Sequence, residues 1–202
     1  MLFCIKCKII RVDKYWCHST FFSSCNDGRE EKIGGARMFD SPGKEDIILF
    51  PHRLAPEKQL DIFKDLAETL PEYEWIVCQE QTLTKDEYHS LLGRAKIVFS
   101  ANTQETLGIS CYEGALVGAS PMVPNRLSYS EMYGDSFLYP SEWTEDFESY
   151  KMNKDLLIAH IKTVMSETDF TRVDLLSANL THNFFSGKAL YLSLIHISEP
   201  TR

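Results

Sequence analysis

The stretch IVFSANTQETLGISCYEGALVGASPMV, Ile97 to Val123, holds three kinds of chain in a row. Ile97-Val98-Phe99 is a short apolar run of strand formers. A polar loop with one glycine follows, and then a small-residue helix signal from about Ile109 to Val117. Pro121-Met122-Val123 is a second short apolar run. Strand, helix and strand within fewer than thirty residues make a parallel crossover unit, because parallel neighbours cannot be joined by a tight turn.

Outward from this unit the same alternation continues. Upstream, Ile47-Ile48-Leu49-Phe50 reads as a buried strand. Leu60, Phe63, Leu66, Ala67 and Leu70 then recur at helical spacing within a helix expected from Glu57 to Leu70, with Pro71 as a stop. Trp75 to Cys78 is strand again. Thr84 with Glu87 three residues on is a capping box for a helix to about Ala95. Downstream, a short helix after Ser128 leads to a strand at Phe137-Leu138-Tyr139. The expected fold is α/β, a Rossmann-like doubly wound parallel sheet over residues 46–150. Helices at Lys154 to Ser166 and Phe170 to Phe185 trail it within 151–191.

The 202 residues are 44% hydrophobic and 25% charged, the proportions of a globular domain, with a formal charge of −8. That charge argues against electrostatic capture of nucleic acid by a cationic face. No apolar run approaches the roughly 18 residues of a membrane span. The opening MLFCIKCKII, interrupted by Lys6 and Lys8, lacks a signal-peptide layout, so a cytoplasmic protein is expected. Residues 1–45 read as the remnant of an upstream domain or an irregular segment. Cys4, Cys7, Cys17, His18 and Cys25 have the ligand types of a zinc site, but a second C-x2-C pair is missing and no metal is assigned. The tail LSLIHISEPTR, 192–202, resembles a translated sequencing adapter and is left out of the fold.

In doubly wound sheets ligands sit beyond the carboxyl ends of the strands. After the first strand, PHRLAPEK brings Arg53 and Lys58 beside a helix start, a pairing suited to an anion such as a diphosphate, or simply to an exposed turn. After the third strand, Gly108 permits close approach, and the amides of Leu107, Gly108 and Ile109 open the next helix as donors. Glu105 precedes that helix and Glu113 lies about 7 Å along it. The two carboxylates would therefore reach opposite ends of a small ligand rather than share one proton. Asn125, Arg126 and Glu131 read as a polar loop and cap.

Glu105 and Glu113, with Leu107-Gly108-Ile109 between them, resemble the E-x7-E motif of retaining GT-B glycosyltransferases of the family 4 (group 1) type. HRLAPEK resembles that family's G-R-L-x-x-x-K loop, and EGALVGASPMVPNRLSYSEM its E-A-x-A-x-G-x-P-V-V stretch, closest to the tRNA-queuosine mannosyltransferase-like branch. The resemblance implies the C-terminal, nucleotide-sugar-binding half of a GT-B fold and a hexosyltransferase activity. It gives Arg53, Lys58 and Glu105 catalytic roles: the two cations hold the donor diphosphate, and Glu105 binds the transferred sugar. Thr106, Leu107, Gly108 and Ile109 would cradle the diphosphate, and Glu113 would bind the ribose. It implies no cofactor and no metal, a nucleotide-sugar donor, and an acceptor left open among glycan, nucleic acid and small molecule. Oligomeric state is left open too. Two departures are visible: His52 stands where the family has glycine, and E-T-L-G replaces E-G-F-G. With no room for the acceptor-binding domain, donor binding with little transfer is expected of this chain alone. A sugar-nucleotide epimerase and a non-catalytic binding module are the alternatives on the same architecture.

Overall fold

A computed structural model describes residues 43–167 and 171–186. The four N-terminal cysteines and the adapter-like tail lie outside these residues. Five strands, β1 (Glu45–Phe50), β2 (Glu74–Val77), β3 (Ala95–Phe99), β4 (Ser120–Pro124) and β5 (Leu138–Tyr139), form one parallel sheet in the order β2-β1-β3-β4-β5. The helices are α1 (Leu60–Thr69), α2 (Lys85–Arg94), α3 (Ile109–Leu116), α4 (Tyr129–Met132), α5 (Phe147–Ser166) and α6 (Thr171–Asn183).

Alternation along the strands divides the core in two. Ile47, Leu49, Val98 and Val123 pack under α2, α3, α4 and α6. Their neighbours Ile48, Phe50, Ile97, Phe99 and Met122 pack under α1 and α5. A strand covered on both faces has to be apolar at every position, which is why these runs read as continuous rather than alternating. The trailing helices complete the two layers: Val173, Leu176 and Leu180 of α6 join one core, Leu157 and Ile161 of α5 the other. Gly114 allows α3 to lie close on the sheet, since a Cβ there would meet Val98 Cγ2 at 2.5 Å.

Two prolines sit in the interior strand β4, where ladder amides are normally required. The Met122 carbonyl accepts from the Ser100 amide on the β3 side, while the Asn125 amide donates to Tyr139 on the β5 side. By alternation Pro121 faces the β5 side, and β5 begins only at the level of Val123. The missing amide therefore has no partner to disappoint.

Two boundaries differ from the periodicity. The helix expected from Glu57 is a 3-10 turn, Pro56–Lys58, then a break at Gln59 (φ 53°), then α1. The Gln59 side-chain Nε2 donates to the carbonyls of Ala101 (2.8 Å) and Thr144 (2.7 Å), so long-range bonds hold the break open. Helix α5 starts at Phe147 rather than Lys154, because Asp146 caps it by accepting from the Ser149 amide at 2.7 Å. No helix among the described residues is long and apolar enough to cross a membrane.

The chain runs from β1 outward to β2, then jumps back over β1 to β3. In this strand order the sequence direction reverses between β1 and β3, and the loops leaving those two strands splay apart into a crevice.

Candidate functional site

At that crevice lies an open cleft of about 720 Å³, walled by the loop after β1 and by Gln104 to Ser110 at the start of α3. Lys58 is buried, and its Nζ donates to the Gln104 carbonyl (2.7 Å) and to Glu105 Oε2 (3.0 Å). The αL break at Gln59 is what ends the 3-10 turn there. Glu105 also accepts from Asn102 Nδ2 at 2.9 Å and from the Thr106 amide at 3.0 Å. Burial would raise the Glu105 carboxyl; the donors from Lys58 and Thr106 outweigh it and hold its pKa below the usual carboxylate value. Glu105 is therefore an anion at neutral pH.

Arg53 also lines the cleft, but its side chain is 73% exposed and paired with Glu57 one turn on. The two cations suggested by the sequence thus share one loop and differ in setting. Lys58 is fixed among protein acceptors, and Arg53 sits at the solvent edge.

His52 forms part of the cleft floor and is 4% exposed. Its Nε2 lies 3.2 Å from the Phe99 carbonyl, which can only accept, so Nε2 carries the proton. Nδ1 is then an acceptor, with Ser110 Oγ and Asn102 Nδ2 each 3.5 Å away. Burial first, and the Lys58 charge second, push the imidazole pKa down to about 4, so His52 is neutral at pH 7. A bulkier residue than glycine fits at this position because Phe50 receives the ring edge-on at 5.1 Å.

Gly108 precedes α3 with φ 61°. A Cβ there would stand 2.6 Å from Tyr129 Cε1, so both conformation and packing demand glycine. Tyr129 is fully buried, and its hydroxyl meets Ser100 Oγ and Asn102 Nδ2, each at 3.2 Å. The first turn of α3 carries no acidic residue, and the Glu105 carboxylate just before it engages the Thr106 and Gly108 amides, so the remaining amides of the turn are the donors left for the cleft. Thr106, Leu107, Gly108 and Ile109 all line the cleft.

Glu113 lies elsewhere. It is half-buried on α3, outside the lining of the cleft, and accepts from the Tyr88 hydroxyl of α2 at 3.2 Å. Glu105 and Glu113 are thus separate stations rather than one acid pair. Arg126, read from the sequence as part of a polar loop, also lies outside the lining of the cleft. Its guanidinium donates to the carbonyls of Asn102, Ala101, Ser141 and Thr144 at 2.7–3.1 Å, clamping the loop after β4 to those after β3 and β5.

Sequence reasoning missed Asn102 as an organiser and His52 as a floor residue. Each acts through contacts made across the sheet, and neither carries a local signature. Asn102 is fully buried between Glu105, Tyr129 and His52, and its own Oδ1 has no partner among the described residues. Among the same residues no group of three or more His, Cys, Asp or Glu could hold a metal ion.

No protein-family model matches the chain. It is 25% identical to the tRNA-queuosine alpha-mannosyltransferase of Drosophila melanogaster, over 55% of this chain and 37% of that protein. Among solved structures it resembles the pneumococcal O-GlcNAc transferase GtfA in complex with UDP and GlcNAc (TM-score 0.58, 17% identity, 78% of this chain and 37% of that one). It also resembles a variant of S. aureus TarM in complex with fondaparinux, alpha-GlcNAc-glycerol and UDP (TM-score 0.52, 13% identity, 84% and 38%). These likenesses show a shared fold: the chain has the architecture of one Rossmann-like half of a GT-B glycosyltransferase. It spans less than two fifths of the length of each of these proteins.

Proposed function

We infer that the cleft holds the diphosphate of a nucleotide sugar, and that the chain is the C-terminal donor-binding half of a retaining glycosyltransferase of the family 4 type. The observation that carries this reading is the convergence of a buried ammonium, a glycine-capped helix start and an ionised carboxylate at the β1/β3 switch point. An anion suits the first two, and the hydroxyls of a sugar suit the third.

Lys58 has three N–H donors, and two are committed to Gln104 and Glu105. The third is left for a phosphate oxygen. Fixed in place before the ligand arrives, it needs no reorganisation as charge grows on the leaving diphosphate. Arg53 reaches the same group by exchanging Glu57 for phosphate, and the α3 amides near Gly108 supply further donors. Glu105 orients the transferred sugar through its hydroxyls, and Glu113, outside the cleft with Tyr88 against it, takes the ribose. In transfer, the bond from the anomeric carbon to the diphosphate breaks and the diphosphate keeps the electron pair. An acceptor oxygen then bonds to the same face of that carbon and loses its proton to the departing phosphate. The positive charge comes from Lys58 and Arg53, so the reading invokes no metal and no cofactor.

The mannosyltransferase and transferase names of the similar proteins support a hexosyl donor; UDP, present in both solved complexes, is the first nucleotide to try. The acceptor is the business of the part of such proteins that this chain does not cover. A cytoplasmic setting fits the two described cysteines, Cys78 and Cys111, both free and buried.

Calorimetric titration of the full chain with UDP, GDP and ADP tests the reading. Saturable binding of one of them, weakened about tenfold or more by Lys58→Ala and less by Arg53→Ala, is expected. A folded chain that binds none of the three defeats it.

A further inference from the structure

Two described residues other than glycine adopt a left-handed backbone, Gln59 (φ 53°) and Leu127 (φ 57°). For Gln59 the reason is internal, since its side chain satisfies two buried carbonyls. Leu127 has no such role. It follows β4 and is 40% exposed, in a conformation that glycine or asparagine adopts more readily.

The surroundings impose the conformation. On one side Arg126 is clamped by its five side-chain bonds and by its amide on the Pro124 carbonyl at 2.7 Å. On the other side Tyr129 is locked beneath Gly108. The Leu127 carbonyl itself accepts from Ser130 Oγ at 2.9 Å. The residue held in this conformation lines the cleft.

We propose that Leu127 is a specificity residue that packs on the apolar C–H face of the sugar ring of the bound donor. Leu127 and Ile109, 40% and 56% exposed, give the cleft a bare aliphatic border, while Glu105 and Gln104 supply acceptors. A pyranose is the ligand with that division: hydroxyls around its rim, C–H bonds on its face. A leucine and an isoleucine left in water at the rim gain by being covered, and a ring laid on them supplies the cover. The assignment rests on the reading of the cleft as a nucleotide-sugar site.

The test uses the full chain with Leu127→Gly and Leu127→Asn, two residues that accept the left-handed turn and remove the aliphatic face. The probes are UDP-glucose, GDP-mannose and ADP-glucose, each beside its bare nucleoside diphosphate. Both variants should melt at or near the wild-type temperature, bind the bare diphosphate as before, and bind its sugar derivative about three- to tenfold more weakly. Wild-type affinity of both variants for the sugar derivative overturns the assignment and leaves the nucleotide reading standing, as does an equal loss for the bare diphosphate, which puts the contact on the nucleotide. Failure of the wild-type chain to bind any of the six defeats the nucleotide reading itself, and this assignment with it.

Discussion

The two ends of the sheet carry the same kinds of charged residue and use them in opposite ways. At the end where strands begin, Glu45 pairs with Arg94 and Asp46 with Lys96, and Lys44 donates to the carbonyls of Gly93 (2.9 Å) and Val117 (2.7 Å) at the close of α2 and α3. The Arg94 and Glu45 side chains are 45% and 46% exposed. At the end where strands finish, Lys58 and Glu105 are 9% and 18% exposed and share one network with Asn102. Water screens the Glu45–Arg94 pair, which is ordinary surface chemistry, while Lys96 (14% exposed) is also held by the Met165 carbonyl and Lys44 by its two carbonyls. The second set is shielded, and its charged groups are matched by protein partners beside the cleft, with the buried Asn102 Oδ1 as the exception.

The sharpest way to break that contrast is Lys58→Met. It leaves the Glu105 carboxylate without its counter-charge, and the expected loss is about 3 kcal/mol of unfolding free energy, read from urea denaturation. Adding Glu105→Gln should restore most of the stability while the nucleotide affinity stays lost. A double variant no more stable than Lys58→Met would show that the pair is not what holds this end together.

Acid should separate the two ends next. The folded pKa of His52, about 4, lies below its unfolded 6.5, so the unfolded chain takes up the proton first. Its contribution is complete above pH 6.5 and is lost as pH falls toward 4, on the order of 3 kcal/mol in all. His52→Asn should flatten the stability curve in that window. The loss from Glu105, whose pKa is depressed below the carboxylate range, comes at lower pH still.

Gly108→Ala should cost about 2 kcal/mol, because the added methyl meets the Tyr129 ring and the backbone is left-handed. A melting curve unchanged by that substitution would mean that the α3 start can move away from Tyr129. The smallest effect belongs to the other end of the sheet. Arg94→Ala should leave the melting temperature essentially unchanged, with or without added salt, and a clear drop would put that pair in the same class as Lys58–Glu105.

Most of the architecture is legible in the chain. Strands β1, β2 and β3 are found within about two residues of where their apolar runs place them, and the Thr84–Glu87 capping box forms as written, with the Thr84 amide on Glu87 Oε2 at 2.7 Å. These features arise from side chains a few residues apart, and spacing shows them directly. The break at Gln59, the clamp at Arg126 and the neutral state of His52 arise from partners 15 to 85 residues away in the chain. No local pattern announces them.

The order of apolar runs and helical faces was enough to specify a parallel sheet covered on both sides, because each strand must bury both of its faces whatever its neighbours turn out to be. It was enough also to put Arg53, Lys58, Glu105 and the Gly108 loop at strand ends. Folding then sorted those residues. Lys58 and Glu105 came together in a shielded cleft, Arg53 stayed in solvent, and Glu113 went to Tyr88, for burial and hydrogen-bond partners depend on which loops the strand order makes neighbours.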